Sequence, residues 1–260
     1  MMTDRRPGRS FKTLTSSETS GEPNALIRRL EGLESLGTDA KAWLAGIEEA
    51  AFSVPARTDL IAEGDAPDGL VVILEGMACR FKLRPGGARQ ITAYLIPGDL
   101  CNLDLALRPR MDHAIATLSP CRVARLDFEA LSHLSGDLDI VTRAMRRAAL
   151  VDDAILREWL VNVGSRSAIR RIAHLFCELL MRFRAVGLAR GDSYELPVSQ
   201  LDLAETTGLS TVHVNRTLQE LKRQGLIELR ARSLMIRNLA RLQTLGEFDA
   251  GYLSLGEPIA

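Results

Sequence analysis

The sequence predicts an α+β protein: an N-terminal antiparallel β-roll, a long dimerisation helix and a C-terminal winged helix-turn-helix. Three observations predict this class. Turn signals recur between short apolar runs from Phe52 to about Asp127, which is typical of an antiparallel sandwich or barrel. The stretch 138–163 contains helical periodicity and neither Gly nor Pro before its end. The stretch Pro197–Gly225 contains two short helix patterns around a glycine.

The composition is that of a globular protein. The chain has 260 residues, 46% of them hydrophobic and 25% charged, with a net charge of zero. No apolar run approaches the ~20 residues of a membrane span, and the N-terminus lacks the apolar core of a signal peptide. The four cysteines are scattered without a CxxC pattern. We therefore expect two modest domains with reduced thiols, in the cytoplasm and without a membrane partner.

The N-terminal part divides into a tail and a helical entry. Residues 1–23 are rich in Ser, Thr, Arg and Gly, and we expect them to be disordered because they have little to bury. Asn24 can cap a first helix, and a second is expected from Ala40 to Ala51. These helices would form the beginning of a sensor domain that covers residues 24–137.

Repeated turns define the roll of this sensor domain. Glycine turns at Gly64, Gly76, Gly87 and Gly98 separate short runs, some of which alternate between apolar and polar residues. Alternation of this kind is typical of strands with one buried face. A roll built from such strands can hold a small ligand or serve only as a packed scaffold.

The long helix is predicted over residues 138–163, after a short helix from Phe128 to Leu134. Its apolar residues recur at steps of three and four, and further apolar residues lie outside this stripe. The stripe consists of Val141, Ala144, Ala148, Val151, Ile155 and Trp159. We expect one face to pack on the roll and another, with Ala148 and Val151 in the seam, on a second copy. A core helix of a single chain would show a similar pattern.

The stretch Pro197–Gly225 predicts a helix-turn-helix. Ser199 followed by Asp202 indicates a helix start, and we expect Leu201 to face the core with its apolar neighbours. Gly208 permits a left-handed turn, and Ser210 can cap the second helix. An ordinary helical hairpin with a solvated face would look alike.

The neighbouring segments favour a DNA-binding module over an ordinary hairpin. Strand-like runs at residues 226–230 and 234–237 flank a turn, as in a β-hairpin wing. Basic residues outnumber acidic ones from Gly164 to Asn238. A positively charged winged helix is the footprint expected for DNA binding. We therefore expect residues 164–249 to form a winged helix-turn-helix DNA-binding domain, joined to the long helix by a hinge at residues 164–167.

The second helix of this unit is expected to read DNA in the major groove. One of its faces carries an apolar side chain, two amides and two guanidinium groups, which can contact base edges and phosphates. The candidate DNA-binding residues are Ser199, Ser210, Thr211, Val212, His213, Asn215, Arg216 and Gln219.

No catalytic or metal-binding pattern is present in the sequence. It has no nucleophile motif, no phosphate loop and no paired metal ligands, so we expect neither an enzyme nor a cofactor. The expected partners are double-stranded DNA with a two-fold site, a second copy of the chain and an unknown small effector. The alternative function is a cyclic-nucleotide or other small-ligand regulatory module that acts on a protein partner; such modules lack the winged reader.

The order of these parts resembles the Crp/Fnr superfamily of bacterial transcription regulators, from about Asn24 to Asn238. The residues that carry the resemblance are Leu203-Ala204, Gly208-Leu209-Ser210, Val214, Arg216-Thr217-Leu218 and Gly225-Leu226-Ile227. The resemblance implies a cyclic-nucleotide-binding-like roll and a homodimer that binds a two-fold site near promoters, with RNA polymerase as a further partner. It also implies that Arg216 contacts a guanine, whereas Val212 falls where many relatives carry a Glu.

The resemblance fails at the ligand chemistry of the cyclic-AMP members. Asp112-His113 falls where those members have an Arg-Ser pair for the cyclic phosphate, and an acid there would repel a phosphate. Leu156-Arg157 falls where they have a nucleotide-contacting Thr-Ser pair. We therefore expect that neither cyclic AMP nor cyclic GMP is the effector, although Arg108 and Arg110 are nearby.

Thiol or metal sensing has little support in the sequence. No Cys precedes Cys79, so the N-terminal cluster that holds an iron–sulfur centre in the oxygen-sensing branch is absent. Cys101 and His113 could lie together on the roll and bind a metal, haem or an oxidant. A buried cysteine is more often a small hydrophobe, which is the interpretation we prefer.

Overall fold

The structure is a computed structural model that describes residues 24–67, 69–103, 110–128, 131 and 136–255. The predicted tail, Arg108 and most of the predicted helix Phe128–Leu134 lie outside the described residues. No helix in the described ranges is long and apolar enough to cross a membrane.

Two helices and a short 3₁₀ turn precede the roll. Helix α1 is Ala25–Glu31 and α2 is Thr38–Gly46, followed by a 3₁₀ turn at Ile47–Ala50. Asn24 caps α1 as predicted, because its side-chain oxygen accepts a hydrogen bond of 2.9 Å from the backbone N–H of Ile27.

The roll consists of two antiparallel sheets. Its strands are β1 (Phe52–Val54), β2 (Asp59–Ile61), β3 (Gly69–Glu75), β4 (Ala78–Leu83), β5 (Arg89–Leu95), β6 (Ala114–Thr117) and β7 (Cys121–Asp127). One sheet has the order β1-β7-β3 and the other β2-β6-β4-β5, and the paired strands run antiparallel. This confirms the antiparallel roll. Gly98 has a φ of +93°, and a Cβ there would lie 2.6 Å from the carbonyl oxygen of Ala25, so glycine permits α1 to approach this turn.

The long helix α3 spans Asp139–Ser165, close to the predicted range. The predicted seam is wrong in its location, because Ala148 and Val151 are buried inside the chain with the rest of the stripe. The side chains that remain uncovered lie on another face, where Leu150 is 66% and Leu160 is 74% exposed. Large apolar side chains occur on both faces in the sequence, so periodicity alone did not show which one the roll covers.

The C-terminal part is a helical unit with a three-stranded sheet. Its elements are α4 (Ala168–Ala185), β8 (Ser193–Glu195), α5 (Gln200–Thr207), α6 (Thr211–Arg223), β9 (Ile227–Arg230), β10 (Ser233–Ile236) and α7 (Leu239–Gly246). The sheet order is β8-β10-β9, with β9 and β10 forming the predicted wing. The helical break between α3 and α4 comprises Arg166 and Ser167, so Gly164 belongs to the helix rather than to the hinge.

The roll and the C-terminal unit share one hydrophobic core. A continuous cluster of buried side chains runs from α1 through the roll and α3 into α4, α5 and α6. A second cluster takes side chains from both sheets of the roll. The C-terminal unit, which we call the reader, is therefore packed against the roll and is not connected to it by the hinge alone.

Candidate nucleic-acid interface

The start of α5 is fixed by a capping box. The Ser199 hydroxyl oxygen accepts from the backbone N–H of Asp202 at 3.1 Å, and the Asp202 carboxylate accepts from the backbone N–H of Ser199 at 2.7 Å. The helix ends at Gly208, whose φ of +67° is the left-handed conformation that the sequence predicted. These local bonds set the length of α5 and the turn that follows it.

Helix α6 is capped at one end and anchored along one side. The Ser210 hydroxyl oxygen accepts from the backbone N–H of His213 at 3.2 Å. Val214, Leu218 and Leu221 are buried in the shared core, as predicted. Because the buried side is fixed by these three side chains, the opposite side of α6 faces solvent.

All eight predicted site residues are exposed, two of them immediately before the two helices and six along α6. Ser199 precedes α5, Ser210 precedes α6, and the others lie along the exposed side of α6: Thr211, Val212, His213, Asn215, Arg216 and Gln219. A hydrogen bond of 3.2 Å from Asn215 Nδ2 to Gln200 Oε1 joins the two groups. The residues thus form one surface.

Leu201, which we expected in the core, is 54% exposed. The buried side of α5 instead contains Leu203, Ala204 and Thr207. Leu201 therefore lies beside the interface and is not part of the scaffold.

The interface is electrostatically suited to an anion. No carboxylate in the described part of the chain pairs with Arg216, and the first turn of α6 contains no acidic residue. The positive end of the helix dipole and a guanidinium group are therefore both available to a phosphate or a base. Arg223 is engaged differently: its hydrogen bonds to Glu220, the nearer at 2.7 Å, lower the pKa of that carboxyl.

Sequence reasoning missed two candidate contacts. Gln200 lies beside the cap of α5 and bonds to Asn215, and its position next to Ser199 was the available signal. Arg232 is exposed at the turn of the wing, next to Ala231, whose φ is +50°. A basic residue in the turn of a predicted wing was the signal for Arg232.

The two residues considered for sensing do not form a metal site. Cys101 is fully buried in the roll, and burial raises the pKa of its thiol well above the usual range. The Nδ1 atom of His113 lies 2.7 Å from a carboxylate oxygen of Asp112. Among the residues described, no group of three His, Cys, Asp or Glu side chains can hold a metal ion.

A network of charged side chains occupies the space between the roll and α3. Asp152 of α3 lies 2.8 Å from Arg80 of β4 and 2.8 Å from Arg29 of α1. Burial acts to raise the pKa of Asp152, but the two guanidinium groups outweigh it and lower that pKa. Asp99 lies 3.0 Å from Arg29 and 2.6 Å from Arg182 of α4, so the network reaches the reader.

The space between β5 and α3 leaves little room for a ligand, whereas a cavity of about 450 Å³ lies on the other side of the network, beside Arg29 and Arg182. The cavity beside Leu156, between β5 and α3, has a volume of about 70 Å³. Ligand pockets usually measure roughly 300–1,000 Å³. Among the described residues, this part of the roll is filled by the chain's own charged groups.

A sensor-like roll, a long helix and an exposed cationic reading helix define a DNA-binding regulator. Comparisons with known proteins agree. Residues 51–136 match the family model of the cyclic nucleotide-binding domain, and residues 170–245 match that of the Crp-like helix-turn-helix domain. The second match favours DNA binding over the alternative of a ligand module acting on a protein partner.

Two characterised relatives are similar in sequence to this chain over most of its length. It is 28% identical over 187 residues to the nitrogen fixation regulation protein FixK of Bradyrhizobium diazoefficiens, covering 72% of this chain and 77% of that protein. It is 26% identical over 196 residues to the transcriptional activator protein FnrA of Stutzerimonas stutzeri, covering 74% of this chain and 79% of that protein.

Solved structures show the same architecture. FixK2 from Bradyrhizobium japonicum matches with a TM-score of 0.66 and 26% identity, over 75% of this chain and 96% of that one. TTHB099, a transcriptional regulator of the CRP family from Thermus thermophilus, has the same fold with a TM-score of 0.60 and 19% identity, over 75% of this chain and 96% of that one. The chain belongs to the Crp/Fnr family of transcription regulators.

Proposed function

We propose that the chain is a homodimeric regulator that recognises a two-fold DNA site through Ser199, Ser210, Thr211, Val212, His213, Asn215, Arg216 and Gln219. The observation that supports this proposal is the single exposed surface that these residues form around Arg216, which pairs with no carboxylate among the described residues. Each α6 would enter a major groove, with the start of α5 on the backbone. The Arg216 fork matches the O6 and N7 acceptors of guanine, and the methyl groups of Val212 can pack on a thymine.

Selection from a random DNA library tests this assignment. We expect a half-site that keeps the guanine but differs beside it from sites read by relatives with a Glu at the position of Val212. Arg216→Ala should cost roughly 1–3 kcal/mol on the selected site and much less on random DNA. Val212→Glu should shift the base preference beside the guanine. Arg122→Ala on the roll is the matched control. An unchanged consensus and affinity with Arg216→Ala would show that the reading helix is misassigned.

The dimer is proposed to form through the exposed face of α3. Regulators of this family bind DNA as dimers. Leu150, Asp153, Arg157, Leu160 and Gly164 recur at steps of three and four along that face, the spacing of a coiled-coil seam. The two leucines would pack across the two-fold axis, and Asp153 would face the partner's Arg157 in a parallel arrangement.

The effector is proposed to be neither cyclic AMP nor cyclic GMP. Asp112 and His113 stand at the expected phosphate position, and the Arg110 guanidinium instead donates to the carbonyl oxygen of Gly64 at 2.9 Å. The charged network around Asp152 supports the same proposal. Calorimetry at micromolar nucleotide is the test; binding that changes DNA affinity would refute it.

Promoters and RNA polymerase are the proposed targets. The support is family membership together with the activator function named for FnrA of Stutzerimonas stutzeri. A protein that acts on chromosomal promoters would work in the cytoplasm without catalysing a reaction. Transcription from a template carrying the selected site, with and without the protein, measures the effect directly.

A further inference from the structure

Side chains of the roll bind the buried side of α5, and we call this contact the grip. Arg57, between β1 and β2, donates from its two terminal nitrogens to the two carboxylate oxygens of Asp202 at 2.6 and 2.7 Å. The Asp202 side chain is buried, and Arg57 is partly exposed. Bidentate bonds between a guanidinium group and a carboxylate fix both distance and direction.

A second arginine of the roll extends this grip. Arg89 of β5 donates to Glu205 at 2.7 Å and to Asp202 at 2.8 Å. The neighbouring Gln90 amide donates to the backbone oxygen of Glu205 at 2.6 Å. Three side chains of the roll thus bind two carboxylates and the backbone of α5.

Strand β5 also connects this contact to the long helix. The hydroxyl groups of Tyr94 and Thr206 lie 2.7 Å apart, and both are buried. The Tyr94 ring packs edge-on against Trp159 of α3, with the ring centroids 5.7 Å apart. One strand is therefore in contact with both α3 and the first helix of the reader.

Two physical features indicate that the geometry of the grip is well determined. Arg57 has a φ of +60°, a conformation that costs a non-glycine residue free energy and persists only where the surroundings fix it. Burial acts to raise the pKa of Asp202, but the hydrogen bonds from Arg57 and Ser199 lower it to about 2. The carboxylate is therefore charged at any physiological pH.

We propose that Arg57 and Arg89 are positioning residues for DNA recognition, which hold α5 so that the two reading helices of the dimer stand at one fixed separation. The reading surface is exposed while the grip is closed, so the contact orients the reader without covering it. Without the grip, the shared core and the two-residue hinge would leave the reader more freedom. This inference rests on the proposed two-fold recognition by a dimer.

The experiment measures affinity for paired half-sites whose separation is varied one base pair at a time. Arg89→Ala and Glu205→Ala remove the same ion pair from opposite sides, and they change the net charge in opposite directions. Their effects on non-specific binding should therefore be opposite. Both should lower affinity for the preferred separation by roughly tenfold, because hydrogen bonds to charged groups have about that effect. Affinity for the other separations and for a single half-site should change little.

Further variants separate positioning from folding. Arg57→Gly removes the guanidinium group and also relieves the positive φ, so it should flatten the preference for one separation, and the relieved φ offsets part of the stability lost with the bond to Asp202. The double variant Arg89→Ala/Glu205→Ala should lose no more than Arg89→Ala alone, since the loss of Arg89 already removes its bond to Glu205. Arg89→Lys should recover part of the preference, and Arg122→Ala, a surface arginine of the roll, should keep all of it.

Three results would overturn the proposal. In the first, the variants keep the wild-type preference for one separation of the half-sites. In the second, the variants bind the preferred site more tightly than the wild type, as expected if the contact were inhibitory. In the third, Arg89→Ala and Glu205→Ala change the affinity for the preferred site in opposite directions, as their opposite changes in net charge would. Failure of the wild-type protein to prefer any paired site would instead contradict the proposed two-fold recognition.

Discussion

Individual thiol groups of this chain are protected by burial. All four cysteines are buried, and burial raises the pKa of Cys79 and of Cys177 to about 12. The thiolate is the reactive form, so little of it exists at neutral pH. We expect a disulfide reagent at pH 8 to react only slowly with the thiols of the native protein. In urea, where the chain is unfolded, the same reagent should react with all four thiols. One rapidly reacting thiol in the native protein would contradict this expectation and reopen oxidant sensing.

Asp202 gives stability a dependence on pH in the acid range. Its carboxylate has a folded-state pKa of about 2, below the usual value for Asp, so its ionised form favours the folded state. This contribution is complete above about pH 4 and is lost as the pH falls toward 2, at a cost of up to about 2 kcal/mol. Urea unfolding at several pH values measures it.

The control for this dependence is Asp202→Asn. The variant should be less stable than the wild type at neutral pH, and the difference between the two should shrink below pH 4. A difference that stays constant down to pH 2 would show that Asp202 is not held by its arginines in solution.

At the scale of elements, the exposed face of α3 decides the oligomeric state. Leu160→Arg places a charge in the proposed seam, where an unpaired charge is strongly disfavoured. We expect monomers by light scattering, with stability to urea of the monomer nearly unchanged because Leu160 is exposed within the chain. Leu83→Arg, at an exposed leucine of β4, is the matched control and should remain dimeric. A dimeric Leu160→Arg would exclude this face.

The starts of four helices were predictable because their signals are local. Asn24, Ser199, Ser210 and Asn238 each accept a hydrogen bond from a backbone N–H three residues later. The capping preference depends on these few residues alone. The same locality made the reading surface predictable, since spacing on one helix determines which side chains share a face.

Contacts between distant elements were not predictable from the sequence. Arg57 and Asp202 are 145 residues apart, and nothing near either one identifies the other. The face of α3 that packs inward is a similar case, because Ala148 and Leu150 are both compatible with either environment. Both features depend on how the roll and the reader pack against each other, and the periodicity of a single helix carries no information about that packing.

At the scale of the whole molecule, the charged network joins parts that are far apart in the chain. Asp99 lies between Arg29 of α1 and Arg182 of α4. Asp99→Asn leaves buried guanidinium groups with less compensation, which should cost about 3–5 kcal/mol. Calorimetry should show one transition at lower temperature, because the roll and the reader share this aspartate.

The control for the network is a pair on the surface. Glu75 is mostly exposed and bonds to Arg122 at 2.7 Å. Glu75→Gln should change stability by less than about 1 kcal/mol, since solvent screens such pairs. If the two substitutions had equal effects, the buried network would have no special role in stability.

The grip between the roll and α5 limits how freely domains can be exchanged between relatives. A chimera joined at the hinge would retain a continuous backbone but would bring a foreign reader to Arg57 and Arg89. Unless that reader carried carboxylates at the positions of Asp202 and Glu205, the two arginines would face it without partners. Sensor and reader are therefore expected to be inherited together, and engineered hybrids of this protein need matched pairs on both sides of the join.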